Sequence, residues 1–174
     1  PDRPAHVGRL AERSAALPAL LDGAGLDLPR DPVLLTTLLC LDPVAVLVRL
    51  KASNADIARA TAVVSGSPTP EGTTPVLVRR WMAAVGEAAD DLTMLWRLRH
   101  GTDALWEPVM RGIRERQEPL SRKQLAVSGS DLQDIGIPPG PAMGAILDRL
   151  VAQVVDDPSL NTREVLLARA RAMA

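Results

Sequence analysis

The chain has 174 residues and a net charge of −1, with 20 Lys and Arg against 21 Asp and Glu. Hydrophobic residues make up 47%, which excludes a disordered chain, and the length suits one domain or two small helical subdomains. There is no Phe or Tyr and there are only three Trp, so the core must be aliphatic, and a nucleic-acid surface built on stacked rings is disfavoured.

Helix is the dominant signal along the chain. Val7, Leu10, Leu17, Leu20 and Leu21 recur at helical spacing, with Pro18 bending the segment and Gly23 and Gly25 ending it. Asp31-Pro32 and Asp42-Pro43 are helix starts, since Asp caps free amides and Pro fits the first turn. Between them lies Cys40, the single cysteine. It cannot form an internal disulfide and reads as a small core hydrophobe. Ser53-Asn54-Ala55-Asp56 resembles a capping box and opens a helix to about Val64. Ser65–Thr74 is a loop rich in Ser, Gly, Pro and Thr. Helices over Pro75–Val85 and Glu87–His100 follow, separated near Gly86 and stopped at Gly101, and another runs from Asp103 to about Arg116. A short extended stretch is possible at Leu125–Val127.

The segment Ser128–Leu150 carries the most information. Ser130 or Asp131 can cap a short helix that Gly136 ends, and Ile137 anchors the chain. Pro138-Pro139-Gly140 forms a stiff turn, and Pro141 starts a longer helix. The amides of Ala142, Met143 and Gly144 would point out of that helix's N-terminus, which attracts phosphate. Gly140 and Gly144 either clear space for a backbone ligand or permit tight helix packing; spacing alone favours neither. Asp156-Asp157-Pro158 breaks the chain, and Asn161 is expected to cap a last helix with Glu164 at its third position.

The run SGxDLxxxGIxPGPxxGxIL is matched by Ser128, Gly129, Asp131, Leu132, Gly136, Pro139, Gly140, Pro141, Gly144, Ile146 and Leu147, with Asn161, Leu166 and Leu167 farther on. It resembles the C-terminal region of bacterial class II tRNA nucleotidyltransferases and poly(A) polymerases. Arg49–Asn54 is similar to a segment of the same family's central helical part. The resemblance implies an all-α bundle of about eight to ten helices ending in a helix–hairpin–helix-like turn, with 1–120 as a body-like domain and 121–174 as a tail-like subdomain. It also implies that the chemistry belongs to an N-terminal head with an Asp-x-Asp metal site. Here Asp90-Asp91 and Asp156-Asp157 have the wrong spacing, and His6 and His100 are not followed by Asp.

The expectation is therefore a non-catalytic chain that binds tRNA or another RNA and positions its 3′ end for a head domain using Mg²⁺ and CTP or ATP. The chain itself is expected to hold no cofactor. The expected phosphate partners are Arg79, Arg80, Arg97, Arg99, Arg122, Lys123 and Arg149, with backbone contacts at Gly140 and Gly144. From Val76 to Lys123 nine basic residues face seven acidic ones, a weak excess that a solvated helix face explains as well. A scaffold or oligomerisation module is the alternative. An independent DNA-binding protein is opposed by six acidic residues against four arginines after Lys123. The lack of disulfides, signal peptide and long apolar run points to the cytoplasm.

Overall fold

The computed structural model describes residues 31–174. Among these residues there are nine α-helices, two short 3₁₀ turns and no strand, which is the all-helical architecture expected. We label them α1 (Pro32–Leu39), α2 (Pro43–Arg49), α3 (Asn54–Ser65), α4 (Pro75–Val85), α5 (Ala88–His100), α6 (Glu107–Glu115), α7 (Gly129–Asp134), α8 (Pro141–Asp156) and α9 (Arg163–Met173). None is long and apolar enough to cross a membrane. The expected helix around Val7–Leu21 lies outside the described residues. The described residues form two compact units: 31–69 with Val85–Ala104, and Pro70–Ala84 with Leu105–Ala174.

In the first unit, α1 starts where Asp31 accepts hydrogen bonds from the Val33 and Leu34 amides, and Asp42 caps α2 through Ala45. Val33, Leu47 and Ala60 form a small core, with Val44, Ala52 and Ile57 packed against it. Charge ties these helices together. Arg59 on α3 makes a two-pronged contact with Asp91 on α5 (2.6 Å from both Nε and Nη2) and a third bond of 2.7 Å to Asp31. One guanidinium thus links the cap of α1 to α3 and to the first turn of α5, in the fork geometry that suits carboxylates.

In the second unit, Leu132, Leu150 and Leu166 are fully buried in one core with Val127, Ile137, Met143, Ile146 and Val154. This core joins α7, α8 and α9. Trp81 on α4 and Trp106 meet edge to face, 6.0 Å between ring centroids, and both are buried. The end of α8 is held by a buried cation. Arg79 on α4 donates from Nε to the Val155 carbonyl (2.6 Å) and from Nη2 to the Asp156 carbonyl (3.0 Å). Its remaining arm meets Glu118 at 2.8 Å, and both side chains are nearly enclosed. Glu118 reaches this position because Gln117 adopts a left-handed conformation (φ 52°) after α6, and Glu118 N–H then bonds back to Ile113.

Several helix limits differ from the sequence expectation, each for a local reason. The cap of α7 is Ser128, which forms a capping box with Asp131. Thr162 caps α9, because Asn161 is engaged elsewhere: its side chain accepts from Ala126 N–H (2.8 Å) and donates to the Gln124 carbonyl (3.0 Å). That clamp satisfies the segment expected to be extended, which pairs with no strand among the described residues. The helix expected from Asp103 begins only at Glu107, with Pro108 in its first turn.

Two outcomes test this packing. Replacing Arg79 by Ala would strand a nearly enclosed carboxylate and two helix-end carbonyls, so the loss should be about 3–5 kcal/mol. Arg79→Lys should recover only part, since an ammonium lacks the planar fork; thermal unfolding followed by circular dichroism measures both. The second concerns acid. Burial alone would raise the Glu118 carboxyl, but hydrogen bonds from Arg116 and Arg79 outweigh it and hold it below its ordinary value. A carboxylate lowered in the folded state stabilises fully above its unfolded value and loses that contribution as pH falls through the folded one. The melting temperature should therefore decline below about pH 4.5, and Glu118→Gln should flatten that decline. An unchanged pH profile in the variant would dismiss Glu118 as a source of it.

Candidate nucleic-acid interface

The turn between α7 and α8 is built by two glycines. Gly136 (φ 92°) and Gly140 (φ 153°) occupy conformations that side chains resist, and Ile137 between them is buried as the anchor of the turn. Gly140 precedes α8, Pro141 stands in its first turn, and the helix start has no side-chain cap. The Gly144 amide already donates to the Gly140 carbonyl at 3.1 Å, which corrects the expectation of three outward amides. Those of Ala142 and Met143 remain at the positive end of a 16-residue helix.

A cation lies beside the first turn of α8. Arg122 sits in the 3₁₀ turn Arg122–Gln124, and its guanidinium nitrogens are 3.9 and 4.0 Å from where a Cβ on Gly144 would be. Those distances are ordinary van der Waals contact, so the Arg122 guanidinium lies beside the first turn of α8 without requiring a glycine there. Arg122 is also bridged to Asp148 one turn along (2.6 Å from Nε), with both groups half-exposed or more. Lys123 beside it is exposed, and so is Arg149. Neither has an ion-pair partner among the described residues. Arg149 borders a shallow groove with Ile137, Pro138, Ala142 and Met173. The structure thus brings Arg122 to Gly144 at the first turn of α8, whereas Arg149 stands about midway along that helix.

The other expected residues are placed differently. Arg79 is removed from the set, because it is buried and all three arms of its guanidinium are committed to Val155, Asp156 and Glu118. Arg80 is exposed but bridges Asp156 through two contacts of 2.7 and 3.0 Å. Arg97 and Arg99 belong to the first unit, where Arg97 pairs with Asp103 at 3.1 Å and Arg99 borders a cavity.

Arg163 was not anticipated. It pairs with Asp131 at the start of α7, across 32 positions of sequence. The Asp131 carboxyl is held down to about 2, first by hydrogen bonds from the Ser128 hydroxyl and amide and then by Arg163. No local spacing announces such a pair. The stacking of Trp96 on His100 was also missed, although their separation of four positions on a helix is a readable signal.

No curated protein and no solved structure matches the chain. The family model for tRNA nucleotidyltransferase domain 2 matches residues 33–170, which covers nearly all of the described residues. This chain therefore belongs to the tRNA nucleotidyltransferase domain 2 family.

Proposed function

We propose that this chain is a non-catalytic helical region that binds tRNA or a related RNA and positions its 3′ end for nucleotide addition by a separate head domain. The observation that carries the reading is the cation-lined start of α8, within a chain of a tRNA nucleotidyltransferase family. Two amides without a side-chain cap and the Arg122 guanidinium lie at the first turn of α8, Lys123 follows Arg122 in the chain, and Arg149 is exposed farther along the helix. Each contribution is small. A helix terminus adds about 0.3–1 kcal/mol, so affinity would have to come from several contacts together. The Arg122–Asp148 bridge is exposed, and such pairs contribute about 0–1 kcal/mol, so exchanging Asp148 for phosphate costs little. Contacts of this kind read phosphates and helical shape rather than base sequence. The head, Mg²⁺ and CTP or ATP belong to the same proposal, as does a cytoplasmic setting.

A second reading, an association module, is favoured by Leu39, Leu41, Val48 and Leu50, all at least half exposed around α1 and α2. Light scattering with and without tRNA separates the two, since a stable dimer indifferent to RNA would favour association.

Titration of tRNA at several salt concentrations tests the first reading. Binding should weaken as salt rises, because each neutralised phosphate releases counterions. The double variant Arg122→Ala, Lys123→Ala should keep its melting temperature and lower the slope of log K against log salt by about 1–2. Undetectable binding at low salt, or an unchanged slope, would defeat this assignment.

A further inference from the structure

The first unit contains an open cavity of about 320 Å³, lined by the end of α3 (Val63, Val64), the following chain at Gly66 and Pro68, Thr37 of α1, and α5. Alpha-helix α5 contributes Leu92, Leu95, Trp96, Arg99 and His100. The floor is aliphatic, as Val63, Leu92 and Leu95 are buried, whereas Arg99 and His100 are exposed. Trp96 and His100 stack with centroids 3.7 Å apart and planes 18° from parallel. His100 Nδ1 lies 2.9 Å from the Trp96 carbonyl, so Nδ1 carries the proton and donates, and the ring orientation is set by the helix itself.

This arrangement stands out in a chain with three Trp, two His and neither Phe nor Tyr. Trp81 and Trp106 are consumed by their mutual contact in the core of the second unit. The remaining Trp is stacked on a His at the wall of a cavity, beside an exposed arginine. A flat heteroaromatic ligand would gain here from π faces, an aliphatic floor and a cation at the mouth. The volume lies at the lower end of the range for small-molecule sites and suits a single nucleoside.

We infer that this cavity receives one nucleobase, held against the Trp96–His100 pair with its sugar-phosphate toward Arg99. The base could be an unstacked residue of a bound RNA or a free nucleotide; the chemistry is common to both. The RNA source rests on the function proposed above, whereas the free-nucleotide source does not. Base stacking on aromatic side chains is tolerant of sequence, so the site would grip a splayed-out base without selecting it strongly.

The test uses the whole chain and Trp fluorescence. The probes are AMP, an eight-nucleotide oligoadenylate, and an abasic oligomer with the same phosphate number. The expected result is saturable quenching by oligoadenylate or AMP, not reproduced by the abasic oligomer. His100→Ala removes an exposed ring and should fold normally, confirmed by its melting temperature. It should weaken the base-bearing probe about tenfold and leave abasic binding unchanged. Trp96→Phe should lose the quenching signal while retaining part of the affinity by calorimetry. If AMP binds and tRNA does not, the nucleobase site stands as a mononucleotide site and the RNA-binding reading falls. If tRNA binds with salt dependence while base-bearing and abasic oligomers bind equally, and His100→Ala changes nothing, the nucleobase site is overturned and the RNA-binding reading survives.

Discussion

A helix end that lies against a core must have its last carbonyls satisfied, and the second unit meets that demand with one arginine. Arg79 crosses from α4 to the Val155 and Asp156 carbonyls at the end of α8, and Glu118 neutralises it there. Three separate parts of the sequence are joined at this point. The consequence reaches the far end of the same helix, roughly 24 Å away at 1.5 Å per residue. A rigid α8 anchored at Asp156 fixes where Gly140, Ala142 and Met143 present their backbone. The buried ion pair is therefore less a source of net stability than a device that specifies one arrangement, because its desolvation offsets much of its attraction.

The two units solve the same problem with different charges. Arg59 gathers Asp31 and Asp91 in the first unit, and Arg79 gathers carbonyls and Glu118 in the second. Arginine's planar, permanently charged fork suits both places, in a chain with few aromatic residues to lock helices together. The exposed pairs, Arg80–Asp156 and Arg122–Asp148, are of another kind. Solvent screens them, so their partners can be exchanged at small cost. Burial thus sets Arg79, enclosed with Glu118, apart from Arg80 and Arg122, whose pairs lie at the surface.

That separation explains how far the sequence could be read. Helix starts at Asp31-Pro32 and Asp42-Pro43, the break near Gly86 and the stop at Gly101 were legible, because caps and glycine turns act locally. The turn at Gly136–Gly140 was legible for the same reason. Asn161 was misread as a cap because its true partners, Gln124 and Ala126, lie more than thirty positions away. Arg79 and Arg80 look alike in sequence, yet adjacent helix positions point about 100° apart, and only one faces the core. The approach of Arg122 to Gly144 is likewise a tertiary fact that no motif spacing contains.

The central claim is that the start of α8 and the cations beside it meet RNA. Backbone amide resonances of the chain, recorded with and without tRNA, address this residue by residue. The account expects the largest shifts at Ala142, Met143 and Gly144 and at Arg122 and Lys123, with the buried end of α8 near Val155 nearly still. Shifts confined to other surfaces, with these amides unmoved in the bound state, would contradict it.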